Sequence, residues 1–213
     1  MKYLEFTDVE IHELKSEIIG ETFEILVKQP DPQVLAMFGD EPLPVVYGTD
    51  ANISAGSYID TIEGLLLGGE IPPVLFIGIR YKLGDQPDFM QFVTSRTREF
   101  TPAEDTENQK LIEQMTLREV KGGGAENFLK FLTTELRDWV SERFNVSDDT
   151  TYIGDSMGGL FGLYTLFTEP KSFKRYVIGS PWQEWNHPAT FELEKKYAEN
   201  NNDMEAIVYM ASG

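Results

Sequence analysis

The chain has no cysteine, which excludes disulfides, thiolate nucleophiles and zinc sites of the cysteine type. Histidine is nearly absent as well: His12 and His187 are the only two, so chemistry that needs an imidazole has two candidates. Basic residues are scarce, 18 Lys and Arg against 36 Asp and Glu, for a net charge of −18. Nucleic acid and anionic membranes both need basic surface, so neither is expected as a partner. The acids are dispersed and read as a solvated surface. No stretch approaches the ~18 uninterrupted apolar residues of a membrane helix. The opening Met1-Lys-Tyr-Leu-Glu-Phe-Thr-Asp8 has an acid where an export signal needs its apolar segment, so the expected location is the cytoplasm.

What is present suits a folded domain. Across 213 residues, 41% are hydrophobic and 25% charged, enough for one α/β domain spanning residues 1–213 with a large core. There is no internal repeat. Alternation in Phe23, Ile25 and Val27 predicts an edge strand over Thr22–Lys28, preceded by a strand near Val9–Leu14 that holds His12. Residues 33–41 read as a loop, Pro42–Tyr47 as a short buried strand, and Gly56–Leu67 as a helix closed by Gly68-Gly69. Pro72–Ile79 is continuously apolar, as in a strand covered on both faces. Arg80–Lys121 reads as a long surface excursion with a little helix after Thr101-Pro102, and Gly122-Gly-Gly124 as a flexible turn. A helix is predicted over Ala125–Phe144, a strand over Arg175–Pro181, a helix over Ala189–Asn200 and a last strand over Glu205–Ala211. Strands alternating with helices imply a mainly parallel sheet covered on both faces.

The chemistry concentrates at Thr151-Tyr-Ile-Gly-Asp-Ser-Met-Gly-Gly-Leu160. A short apolar run leads into Gly154-Asp-Ser-Met-Gly158, and a wholly apolar helix follows at once. Strand, G-x-S-x-G, helix is the context of a nucleophile elbow. In so tight a turn Gly154 and Gly158 provide backbone room. Ser156 is the candidate nucleophile, and the Met157 N–H, at the positive end of the helix, is a candidate oxyanion donor. The alternative is a glycine-rich strand–helix turn without chemistry.

A serine nucleophile needs a base, and the base an orienting acid. His187 is the only histidine after Ser156 and precedes the last strand, one connection too early for the usual order of serine, acid, histidine. Three explanations stand: a chain truncated at its C-terminus with acid and histidine beyond Gly213, an unusual role for His187, or lost catalysis.

Several segments in order resemble one family. They are Pro44-Val-Val-Tyr-Gly-Thr-Asp50, Val74–Tyr81, Arg98-Glu-Phe-Thr-Pro102, Gly122–Phe128 with Glu135-Leu136, Ile153–Leu160 and Gly179-Ser-Pro-Trp182. The chain is similar to α/β-hydrolase serine esterases of the esterase D type, in the branch related to enterobactin-trilactone esterases. The resemblance implies a mainly parallel central sheet covered by helices on both faces, antiparallel N-terminal edge strands, and the last strands and helix missing. It implies hydrolysis of a small-molecule carboxylic ester through an acyl-enzyme on Ser156, without metal or cofactor. It also assigns a second oxyanion N–H to Ala51, where family members usually have glycine and where a positive φ would strain alanine. Asp155 stands where histidine is common, and Glu99 where aspartate is more frequent. Asp50, Tyr81, Arg98, Asp155 and Trp182 are candidates for the substrate pocket, although Tyr81, Trp182 and Trp185 equally suit packing under loops. The competing functions are a non-catalytic binding protein of the same fold and an acyltransferase using the same serine.

Overall fold

A computed structural model describes residues 8–83 and 88–212. The reading of Met1–Thr7 and a few residues of the excursion after Arg80 lie outside these described residues. Among the described residues seven strands form one sheet: β1 (Val9–Lys15), β2 (Thr22–Lys28), β3 (Leu43–Gly48), β4 (Leu75–Tyr81), β5 (Val146–Asp155), β6 (Arg175–Gly179) and β7 (Ile207–Ala211). Their spatial order is β1-β2-β4-β3-β5-β6-β7. The β1–β2 and β2–β4 pairs are antiparallel and the other four are parallel. The expected architecture is therefore present: a mainly parallel α/β-hydrolase sheet with antiparallel N-terminal edge strands.

Alternation decides which face each strand buries. Phe23, Ile25 and Val27 point into the main core, while Leu26 packs on Ala51 and Ala55 across the other face. The latter two belong to helix α2 (Ala51–Leu67). The main core is aromatic. Phe128 of α5 (Ala125–Phe131) lies 6.0 Å from Phe23, 5.2 Å from Phe100 and 5.1 Å from Phe161, centroid to centroid. Those distances suit tilted and edge-on ring pairs, and they join β2 to three helices: α3 (Phe89–Phe100), α5 and α7 (Met157–Thr168).

The structure corrects several expectations. Residues 33–41 are not a loop throughout, because Asp31 caps Gln33 N–H at 2.7 Å and Pro32 starts helix α1 (Pro32–Phe38). Helix α2 begins at Ala51 rather than Gly56, since the interior Gly56 is tolerated within it. The excursion after Arg80 is largely helical. Asp88 caps α3 and Asp105 caps α4 (Thr106–Thr116), and Phe92, Val93 and Phe100 are buried along one side of α3. The Gly122–Gly124 turn is tight rather than flexible: a Cβ on Gly124 would lie 2.6 Å from the Arg98 carbonyl. The helix predicted to reach Phe144 ends at Ser141 and contains a π-helical turn, Leu132–Leu136, before α6 (Arg137–Ser141). In that turn Glu135 accepts from Ser16 Oγ at 2.6 Å and Glu17 N–H at 2.9 Å, tying the β1–β2 turn to the helix layer. Strand β5 starts at Val146, longer than its apolar centre suggested. Strand β7 is exposed on both faces, with Ile207 and Tyr209 each 65% accessible.

Glu99 is an acid inside this core, 2% exposed. One carboxylate oxygen takes the Arg98 guanidinium at 2.7 Å, and the other has no partner, like the hydroxyl of Tyr81. Burial pushes the Glu99 carboxyl from its ordinary 4.5 up to about 7, against the opposing pull of Arg98. Between those two pH values the folded state keeps a proton that the unfolded chain has released. The stabilisation is thus full below pH 4.5 and lost as pH rises through 7. Urea denaturation at pH 5 and pH 8 should show wild type losing on the order of 2 kcal/mol more than Glu99→Gln over this interval. Parallel pH profiles for the two proteins would remove Glu99 as the cause.

Candidate active site

The elbow forms because β5 and α7 meet with almost no separation. Ser156 has φ 57° and ψ −115°, a backbone conformation that non-glycine residues seldom adopt. Contacts on both sides hold it there. Its N–H donates to Gly179 O at 3.0 Å, and its carbonyl accepts from Leu160 N–H at 2.9 Å and Trp182 N–H at 3.0 Å. The glycines around it occupy positions where a side chain does not fit. A Cβ on Gly154 would sit 2.4 Å from the Tyr152 hydroxyl and 2.7 Å from Gly158 O, and one on Gly159 2.6 Å from Gly179 O. The Tyr152 hydroxyl donates to Gly158 O at 2.6 Å and lies 3.2 Å from Thr49 Oγ1.

Thr49 leads into the neighbouring turn. Its N–H donates to Ile153 O at 3.1 Å, continuing the β3–β5 ladder by one step. The turns that follow these two adjacent strands therefore lie side by side. A Cβ on Gly158 would come within 2.7 Å of Thr49 Oγ1 and 3.4 Å of Asp50 Oδ2. Ala51 and Met157 are the first residues of α2 and α7. The N–H of a first helical residue has no carbonyl one turn back to receive it. The left-handed residue in the β3–α2 turn is Asp50, at φ 56°, while Ala51 is helical; the strain expected at Ala51 falls on its neighbour.

Asp50 is buried, and its carboxylate receives Arg96 Nε at 2.9 Å and a second guanidinium N–H at 2.5 Å. Burial pushes its pKa up, Arg96 opposes that, and Asp155 adds to it. Arg96 is the residue that sequence reasoning missed. Both arginines of Ser95-Arg-Thr-Arg98 were in view, but at ~100° per residue the two positions face different sides of α3. Arg98 turns to Glu99 and to Glu21, 3.2 Å away. Arg96 turns to Asp50, with its guanidinium 5.5 Å from the Phe92 ring centre and 5.8 Å from that of Phe100.

The other candidates separate. Asp155 is exposed beside Ser156 and folds over Gly179. Trp182 is half-buried and reaches the site through its backbone, with its ring 5.7 Å from that of Trp185. Trp185 is fully buried and donates Nε1–H to Ala103 O at 2.8 Å. Tyr81 is buried against Phe23, Phe92 and Phe100. Neither histidine hydrogen-bonds Ser156. His12 hydrogen-bonds Glu10 on the edge strand, and His187 is exposed at the start of α8 (Pro188–Asn200), 5.7 Å from the Phe191 ring. Among the described residues no group of three or more His, Asp or Glu is placed to hold a metal, and no helix is long and apolar enough to cross a membrane. A cleft of about 280 Å3 adjoins the first turn of α2, lined by Asn52, Ile53, Phe89 and Phe92 among others. A larger cavity, about 790 Å3, lies at the far end of α7, beside Phe167, Lys171 and Tyr197.

The packing at the elbow makes a stability prediction. Gly154→Ala forces a methyl group against a tyrosine hydroxyl and a main-chain carbonyl, and should cost at least ~2 kcal/mol by overpacking. Denaturant titration checks this. An unchanged midpoint would show that β5 and α7 have slack that the distances deny.

Comparison with known proteins bears on the same segment. The family described as "Putative esterase" matches residues 16–210. Ferri-bacillibactin esterase BesA of Bacillus subtilis is 31% identical over 195 residues, which is 87% of this chain and 62% of BesA. Siderophore triacetylfusarinine C esterase of Aspergillus fumigatus is 28% identical over 84% of this chain and 58% of its own. The chain thus spans about three fifths of these curated relatives. The crystal structure of BES protein from Bacillus cereus superposes with a TM-score of 0.77 at 24% identity, over 99% of this chain and 76% of that one. With residues 16–210 matched by the family model, the chain belongs to the esterase family so described.

Proposed function

We propose that the protein is a serine hydrolase of carboxylic esters, with Ser156 as nucleophile and the Met157 and Ala51 N–H groups as its oxyanion hole. The observation that carries this is the strained Ser156 at the junction of β5 and α7, beside a second helix start on the adjacent strand. Strain at a non-glycine residue persists only where its surroundings over-determine it, and here three main-chain hydrogen bonds do so. Ser156 Oγ attacks the ester carbonyl as a base takes its proton. The carbonyl oxygen, now anionic, lies between the two helix starts, and its collapse expels the alcohol, which takes the proton from the base. Water then releases the acid by the same steps.

Neither His12 nor His187 hydrogen-bonds Ser156, and the reading leaves the base and its orienting acid unassigned. The family relatives named above act on siderophores, and the substrate proposed here is of that kind: a small molecule with ester linkages, its body in the cleft beside Asn52, Ile53 and Phe89. Asp155, exposed beside the nucleophile, disfavours an acyl group with a free carboxylate.

A second reading, a binding protein of the same fold, is favoured by one observation: among the described residues nothing with a basic nitrogen hydrogen-bonds Ser156 Oγ. Hydrolysis of p-nitrophenyl butyrate and fluorophosphonate labelling by the full-length protein separate the two. Turnover and labelling that both vanish in Ser156→Ala, with kcat/KM down by ~10^4-fold or more, are the expected result. A full-length protein inert to esters and probe alike would put the binding reading first.

A further inference from the structure

Four of the helices start at an aspartate, and one of these aspartates behaves differently. Asp31, Asp88 and Asp105 each turn the carboxylate back onto first-turn N–H groups of the helix they begin. That is the ordinary use of an aspartate at this position. Asp50 starts α2 and makes no such bond. Its two oxygens go to Arg96 instead, at 2.9 and 2.5 Å. The main-chain carbonyl of Asp50 accepts from Ile53 and Ser54, each at 2.9 Å, which leaves the N–H groups of Ala51 and Asn52 at the open end of the helix.

We propose that Arg96 is a positioning residue that keeps the oxyanion hole open: it draws the Asp50 carboxylate off the start of α2, so that the Ala51 N–H remains available to the substrate. The inference rests on the hydrolase reading above, and it gives Arg96 a role through Asp50, without contact to substrate. The alternative is the extended backbone of the three capping aspartates, with ψ of 135°, 111° and 100° against φ 56° and ψ 30° at Asp50, so the hold of Arg96 on the carboxylate also keeps this turn left-handed. An aspartate that begins a helix is drawn to the helix's own N–H groups by hydrogen bonding and by the dipole, and three of its counterparts in this chain take that course. A carboxylate there would occupy the donor and place a negative charge where another must develop.

Arg96 is equipped for the task. Its side chain is 13% exposed, its guanidinium lies near the faces of Phe92 and Phe100, and it approaches Asp50 with two nitrogens at once. A paired fork of this kind fixes orientation as well as charge. Arg96 also comes from α3, an element separate from both helix starts, so the turn after β3 is braced from outside.

The test uses the full-length protein with a neutral ester, p-nitrophenyl butyrate, and a double-mutant cycle. Arg96→Met should lower kcat by about 10^2-fold, the scale of losing one oxyanion donor, with KM within about twofold. Affinity for a trifluoromethyl ketone, whose hydrated or serine-bound form carries the oxyanion, should fall in parallel with kcat/KM. Asp50→Gly removes the carboxylate and tolerates the left-handed turn. Adding it to Arg96→Met should restore kcat to within about threefold of Asp50→Gly alone, a strongly non-additive pair. The double variant leaves no buried unpaired acid, so it also keeps the test valid if Arg96→Met alone folds poorly. Independent, additive losses would overturn the inference, as would a rise in KM with kcat unchanged, which would place Arg96 on the substrate. A fall in Tm with unchanged kcat would leave it a purely structural ion pair and overturn it too. Wild-type protein without Ser156-dependent turnover is a different failure, that of the hydrolase reading itself.

Discussion

Everything at the site depends on how closely α7 approaches the sheet. The helix reaches β5 and β6 only because side chains are missing at Gly154, Gly158, Gly159 and Gly162, where a Cβ would fall 2.4 to 2.9 Å from its nearest neighbour. Close approach bends the main chain at Ser156 into its unusual conformation and brings Gly179 O and Trp182 N–H within hydrogen-bond reach of it. Ordinary residues at these glycines would lift the helix, relax the turn and move the serine. The aromatic core completes the arrangement from the other side. Phe161 of α7 packs on Phe100 and Phe128, 5.9 and 5.1 Å away, so α3 and α5 press the helix down.

Charge is the second constraint. With a net charge of −18, any acid near the oxyanion that the hydrolase reading requires needs a reason to be tolerated. Asp155 is exposed and hydrated, so its field is screened. Asp50 is buried, and its field falls on the site unless a counter-charge absorbs it. Arg96 supplies that charge, and both groups sit among rings that exclude water and so strengthen the pair. Leaving out the arginine would leave a buried carboxylate with only the helix start to turn to. The geometry of the turn and its electrostatics thus have a common origin in one contact between α3 and the β3–α2 junction.

Much of this was legible in the residues. The alternation of Phe23, Ile25 and Val27 placed β2 to the residue, and the apolar run around Val74–Ile79 placed the strand beside it. The strand–turn–helix that holds Ser156 and Met157 was legible because an apolar run, G-x-S-x-G and an apolar helix leave few other folds. The helices of the excursion after Arg80 were not. Their starts are marked by Asp88 and Asp105 and each has one apolar side, but both are short and predominantly polar, so a reading guided by apolar runs passes over them. The start of α2 was hidden by Gly56, a residue that usually ends a helix and here lies inside one. Arg96 escaped for a different reason. Its significance lies in which way it faces on a helix that had been read as a loop, and without the helix Arg96 and Arg98 are indistinguishable. A sequence signal did exist in the spacing of Phe92, Arg96 and Phe100, which at four-residue intervals share one side.

The turn that carries Ser156 is mechanically complete in itself. Ser156 is fixed by Gly179, Leu160 and Trp182, and the turn after β3 by Thr49, Tyr152 and Arg96. None of these contacts involves a histidine. Where a serine's position depended on a hydrogen bond from its base, moving the base would move the nucleophile. Here main-chain contacts determine where Ser156 sits. On the hydrolase reading, position and proton transfer are therefore separable. That is how the turn keeps its strain with no histidine among its contacts. Strain of that kind has a free-energy cost in every copy of the protein, and the contacts that offset it are all local to β3, β5, β6, α3 and α7.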